Sequence, residues 1–219
     1  MLLEGQPIDA SELSYELDAW HIGALAYGPG AGAALRDLAA VLDRRLLVIS
    51  PGGKKLWAWL GGRNRLPATE VARLAIESMP TEASIALGEP GSGLEGWRRS
   101  HRQAKAAAPV AERQGMPVVV CYADVALLAT ALRDDILAES LQEVYLNPLA
   151  GEGDDGVSLR KTLEAYFASG RNVSSAAALL GISRPTVTNR IRRAEEKVGR
   201  SLDACAPEIE TALRLHRFL

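Results

Sequence analysis

Residues 174–199 read "SSAAALLGISRPTVTNRIRRAEEKVG". Two short apolar-periodic segments meet at a single glycine, and few folds satisfy that pattern. Gly181 takes a tight turn in which positive φ costs glycine nothing. Ser183 is placed as the N-cap of the second segment, and Pro185 falls in its first turn, where a missing N–H is harmless. Val187, Ile191 and Ala194 recur at i, i+4 and i+7 as an inward stripe. Ala177 is small where two helices must cross closely. Ahead of this pair, "SLRKTLEAYFASG" reads as a helix with Leu159, Leu163 and Tyr166 or Phe167 inward and Gly170 at its end. Asn172 or Ser174 can cap "NVSSAAALLG".

This is the helix-turn-helix pattern, whose second helix enters the DNA major groove. Its outward positions include Ser183, Arg184, Thr186, Thr188, Asn189, Arg190, Arg192 and Arg193. Arginine can pair bidentately with guanine and asparagine with adenine. Hydroxyls at the helix start suit phosphate oxygens. These eight residues are therefore the candidate DNA-binding set. The competing structural reading is a small helical bundle with a solvated basic face, Arg192 and Arg193 pairing with Glu195, Glu196 or Glu164.

Charge supports a nucleic-acid partner for this segment alone. The 219-residue chain has a net charge of −2, but residues 158–219 hold 11 Lys plus Arg against 6 Asp plus Glu. The first 157 residues hold 14 basic and 21 acidic residues. A basic tail behind an acidic body implies that only the tail meets a polyanion. No apolar run reaches the ~18 residues of a membrane span, and the first residues lack the pattern of a secretory signal. Cys121 and Cys205 have no metal-ligand spacing and read as reduced thiols of a cytoplasmic protein.

The body reads as α+β. A strand over 20–28, a helix over 32–45 and a hairpin over 46–62 around Pro51-Gly52-Gly53 come first. A helix over 68–79, a strand over 82–90, a long helix over 94–115 that Pro109 kinks or divides, and a strand over 116–124 follow. That order suits an antiparallel or mixed sheet with helices on one face. Residues 11–20 are helical or an irregular lead-in. Two further helices, "VALLATALRD" and "DILAESLQEVYL", precede a loop at 147–156 rich in Gly, Pro and Asp. The expected organisation is an α+β domain over 1–125, connecting helices over 126–150, a linker over 151–157 and an all-α helix-turn-helix domain over 158–219.

The tail closely resembles the C-terminal helix-turn-helix of PucR/CdaR-type bacterial transcription regulators. Leu163, Tyr166, Gly170, Asn172, Ala176, Ala177, Leu180, Arg184, Thr186, Val187, Arg190, Ile191, Arg193, Glu195, Gly199 and Leu202 carry the resemblance. The turn segment is also similar to the Fis type. The body resembles the companion module, a degenerate GGDEF-like cyclase palm, through "LDAWHIGALAYG", "WAWLGG", "ALGEPGSGLEGWRRSHRQAKAA" and "VCYADVALL". In such regulators a sensory region usually precedes this pair, so the chain is either a short member or a C-terminal piece of a longer protein.

The resemblance implies a transcription regulator on double-stranded DNA, acting as a homodimer under an unidentified small-molecule effector, without membrane attachment. Active cyclases of the palm fold hold two metal ions with carboxylates on the first strand and central hairpin. Here the first strand offers none after Asp18, and "WLGGRN" follows Gly61-Gly62 with Arg63-Asn64. No catalytic residue, cofactor or metal ligand is expected. The alternatives are a cyclase-like nucleotide-processing enzyme with an accessory helical tail, and an oligomerisation or adaptor module. Trp57 and Trp59 share a strand face and read as core or interface aromatics rather than a ligand platform. His101, in Ser100-His101-Arg102, has only Glu95 within helical reach and reads as part of an exposed polar face or an interdomain contact. "GEPGSG" (88–93) lacks the lysine of a phosphate loop and reads as a strand-to-helix turn.

Overall fold

The computed structural model describes residues 15–78, 82–115, 117–150 and 154–218. Contacts divide the chain into two compact units, Met1–Ala129 and Thr130–Leu219.

The first unit is built on a mixed sheet. Its strands are β1 (Trp20–Tyr27), β2 (Arg45–Ile49), β3 (Lys55–Gly62), β4 (Ser84–Leu87), β5 (Gly91–Ser92) and β6 (Val118–Cys121). The spatial order is β2-β3-β1-β4-β6, with β5 pairing the start of β1. All pairs are antiparallel except β4–β6, which run parallel. The helices are α1 (Ala31–Val41), α2 (Ala68–Glu77), α3 (Gly93–Gln114) and α4 (Tyr122–Ala131). Helix α3 supplies the long crossover that a parallel β4–β6 pair needs.

The helices cover both faces of the sheet, not one. Strand residues alternate sides, and both sides here are apolar. Ile22, Ala24 and Ala26 of β1, Ala58 and Leu60 of β3, and Ile85 and Leu87 of β4 share a core with Leu35, Leu38 and Val71 of α1 and α2. The intervening residues face α3. Trp59 stacks on Trp97 at 4.1 Å between ring centroids and donates its indole N–H to the Trp97 carbonyl at 3.1 Å. Burying such a side chain contributes roughly 1.5–3 kcal/mol.

Close approach of α3 requires missing side chains on the strands. A Cβ at Gly23 would sit 2.5 Å from the His101 backbone nitrogen. Instead the Gly23 N–H donates to the Ser100 hydroxyl at 2.7 Å. A Cβ at Gly88 would strike the Ser100 carbonyl. Gly88 and Gly91 of "GEPGSG" thus make room for a helix, and Gly91–Ser92 form a short strand where a plain turn was expected.

Two local expectations change. Pro109 neither divides α3 nor ends it; the helix runs 22 residues. Burial of Ala107, Ala108, Val110 and Ala111 against the sheet outweighs the ~3 kcal/mol an interior proline costs. The strand expected over 116–124 is only four residues long, because α4 starts at Tyr122. Of the 11–20 lead-in, 11–14 lie outside the described residues, and 15–19 are irregular.

The second unit is all-helical: α5 (Asp135–Leu141), a π-turn (Gln142–Leu146), a 3₁₀ turn (Asn147–Leu149), α6 (Asp154–Ala168), α7 (Val173–Leu180), α8 (Arg184–Val198) and α9 (Leu202–His216). The structure draws its boundary elsewhere than expected. From Thr130 onward the segment read as connecting helices belongs to this unit, because Leu141, Tyr145, Leu146 and Leu149 are buried, with α9 and α8 among their neighbours. Of the linker placed at 151–157, 151–153 lie outside the described residues, and 154–157 begin α6.

Candidate nucleic-acid interface

Helices α7 and α8 are set by caps that act over three or four residues. The Asn172 side chain accepts from the Ser175 N–H at 3.0 Å and starts α7. Gly181 closes it with φ of +65°, and the Ile182 N–H returns to the Ala177 carbonyl at 3.1 Å. The Ser183 hydroxyl accepts from the Thr186 N–H at 3.3 Å and also meets the Thr186 hydroxyl at 2.8 Å. Pro185 sits in the first turn of α8. Val187 is fully buried with Ala165, Ala176 and Ala177, and Ile191 packs against them half-buried.

With Val187 and Ala194 inward, the opposite face of α8 is exposed at Arg184, Pro185, Thr188, Asn189, Arg192, Glu196 and Lys197. Arg184, Thr188 and Arg192 stand one turn apart on a single stripe. Arg192 donates to Glu196 at 2.6 Å and to the Asn189 side-chain oxygen at 3.1 Å. Both partners are exposed, so this pair holds Arg192 weakly.

The eight candidates therefore divide. Arg184, Thr188, Asn189 and Arg192 lie on the open stripe, whereas Ser183 and Thr186 bond each other at the cap. Arg190 and Arg193 turn toward α6. Arg190 donates to the Thr162 hydroxyl at 3.2 Å, and Thr162 is fully buried and bonded to the Ser158 carbonyl. Arg193 pairs with Asp155 at 2.6 Å. The competing reading of intramolecular pairing thus holds for Arg193 and Arg192, although Arg193 uses Asp155 rather than a glutamate. Sequence reasoning also missed the capping role of Glu195, whose carboxylate accepts from the Leu202 N–H at 2.8 Å at the start of α9. The pair spans the break between α8 and α9, so no helical periodicity signalled it.

In the first unit, the hairpin turn carries Gly52, Gly53 and Lys54, with Lys55 opening β3, whereas Gly61 and Gly62 pair His21 and Trp20 at the far end of β3. The "WLGGRN" segment is thus not the hairpin turn, and the turn and the residue after it offer lysines where a metal site needs acids. Among the described residues no group of three or more His, Cys, Asp or Glu is placed to hold a metal.

His101 is buried, not part of an exposed face. Its ring stacks on Trp59 at 4.6 Å and meets Trp57 edge-on at 5.1 Å; Trp59 is core, and Trp57 packs half-buried against it. Burial, aided by the Lys105 charge, lowers its pKa to about 4. His21 is also buried. It accepts from the Tyr15 hydroxyl at Nδ1 and donates from Nε2 to the Leu17 carbonyl, both at 2.9 Å. Desolvation lowers its pKa too. Both cysteines are free; burial, with Asp124 nearby, pushes the Cys121 thiol up to about 11. No helix among the described residues is long and apolar enough to cross a membrane.

Residues 159–216 match the PucR C-terminal helix-turn-helix domain, and residues 8–110 match a GGDEF-like domain. Comparison with the curated proteins gives no match. One similar solved structure is that of a regulator of polyketide synthase expression from Bifidobacterium adolescentis. It has 20% identity, covers 99% of this chain and 96% of its own, and has a TM-score of 0.39. With a GGDEF-like domain followed by a PucR-type helix-turn-helix domain, the chain is similar in its domain order to the PucR/CdaR-type transcription regulators.

Proposed function

We propose that this DNA-binding transcription regulator reads its operator with the stripe Arg184, Thr188, Asn189 and Arg192. The observation that carries the reading is the division of labour on α8. One face is buried through Val187 and Ala194, a second is tied to α6 through Arg190 and Arg193, and the third is exposed, polar and basic. A helix laid in the major groove presents its N-terminal residues to base edges, which gives Arg184, Thr188 and Asn189 the reading positions. Ser183 and Thr186, beside the helix N-terminus, suit phosphate oxygens. Arg190 and Arg193 act from behind by fixing how α8 leans on α6.

The protein works in the cytoplasm as a homodimer, since one such helix reads few base pairs and paired half-sites mirror a two-fold protein. The GGDEF-like domain is non-catalytic and serves dimerisation or signal transmission. Support comes from the lysines at its hairpin turn and the absence of acids along β1. Selection of cognate duplexes from a random pool, followed by titration on cognate and random DNA, tests the whole reading. Failure of the full chain to enrich any sequence would refute it.

A further inference from the structure

One end of the sheet in the first unit forms a cavity of about 740 Å³. It lies where β1 begins, α1 ends and β3 ends. Its lining includes Arg44, Arg45, Arg63, Asn64, Gly61 and Gly62. The volume is that of a small-molecule site, and the cavity takes no part in the DNA reading above.

Arg44 is positioned by the end of α1. Asp43, immediately before it, adopts φ of +50° as the left-handed residue that closes the helix, and the Arg44 N–H returns to the Ala39 carbonyl at 2.8 Å. The turn lays the Arg44 side chain across Gly62, where a Cβ would collide with the guanidinium. A Cβ at Gly61 would strike the Tyr15 hydroxyl, so two successive bare positions on β3 admit the Tyr15 and Arg44 side chains that border the cavity.

The guanidinium is oriented but not fully used. One terminal nitrogen donates to the Asn64 carbonyl at 2.6 Å. The Nε is buried and has no partner among the described residues. No carboxylate is bonded to Arg44 among the described residues, although Glu16 and Asp43 also border the cavity. Three arginines against two acids leave the lining with a net positive charge. A planar fork held on one side by a carbonyl suits a planar carboxylate or a phosphate on the other.

We propose that this cavity binds a small organic anion, its carboxylate or phosphate held by Arg44 with Arg63 and Arg45 at the rim. Glu16 and Asp43 then face hydroxyl or amine donors on the same ligand. This site is independent of the DNA-binding reading and stands or falls separately.

The test is calorimetric titration of the full chain with inorganic phosphate and, separately, with succinate, at fixed ionic strength. The two probes distinguish a phosphate site from a carboxylate site. Saturable binding of either is expected. It should weaken roughly tenfold or more in Arg44→Gln, as expected when a charge-assisted pair is lost. Arg63→Gln, at an exposed position where folding is not at risk, should weaken it by a smaller factor. Arg113→Gln, on α3 and away from the cavity, should leave it unchanged. Tryptophan fluorescence checks that each variant is folded. No saturable binding of either probe in the millimolar range would overturn the proposal. So would binding that Arg44→Gln and Arg63→Gln leave intact. Displacement of the bound probe by duplex DNA would also overturn it, making the arginines phosphodiester contacts instead.

Discussion

Lowering the pH from 7 to 4.5 should loosen the first unit through one side chain. His101 is 2% exposed, stacked on Trp59, and its Nε2 has no partner among the described residues. Its pKa falls from an ordinary 6.5 to about 4 because burial disfavours the charged ring, with Lys105 adding repulsion. Between those two values the unfolded chain binds the proton and the folded one does not, so stability falls as pH falls. Above pH 6.5 the contribution is complete. At 1.36 kcal/mol per pH unit the whole shift is worth about 3 kcal/mol, of which about 2 kcal/mol is lost by pH 4.5. All four tryptophans, Trp20, Trp57, Trp59 and Trp97, lie in the first unit, so indole fluorescence during urea unfolding follows that unit alone. The comparison is with His101→Phe, which keeps an aromatic ring against Trp59 and cannot take a proton. Every other group is common to both proteins, so its contribution cancels in the comparison. The wild type should lose about 2 kcal/mol more than His101→Phe between pH 7 and 4.5. Equal losses would show that His101 does not carry the acid sensitivity, and the argument from its burial would fail.

On DNA, each neutralised phosphate releases counterions, so with ~4–6 basic contacts per subunit the log–log salt slope for a dimer should be several units. A flat salt response would contradict the basic stripe as the interface. Arg184→Ala or Asn189→Ala should cost ~1–3 kcal/mol on a cognate operator and far less on random DNA, measured by fluorescence anisotropy. Arg193→Ala should instead lower the thermal stability of the second unit, followed by circular dichroism, because it leaves Asp155 without its partner. Val187→Ala should cost the second unit ~2 kcal/mol by opening space in its small core, and Gly181→Ala should cost about 1 kcal/mol through the left-handed turn. Incubation with GTP or ATP and Mg²⁺ or Mn²⁺ should yield no cyclic nucleotide above a blank. Turnover that follows the protein through purification would restore the enzyme reading.

Whatever depended on neighbours three or four residues apart could be read from the sequence. Asn172 and Ser183 cap their helices through the third residue onward, Gly181 turns between them, and Val187 and Ala194 face inward, because a helix brings those spacings together. The two-residue alternation likewise put Trp57 and Trp59 on one side of β3. What α8 does with its arginines could not be read that way. Arg190 finds Thr162 across 28 residues and Arg193 finds Asp155 across 38, and periodicity carries no signal at such separations. The polar triplet Ser100-His101-Arg102 misled for the same reason. Its helix lies against bare glycine backbone at Gly23 and Gly88, so Ser100 and His101 are buried although their composition suggests a wet face. Pro109 stayed inside one helix because sheet contacts outweighed a local preference. Local chemistry selected the helices and their caps, while packing between distant segments decided which polar groups stayed free to meet a partner.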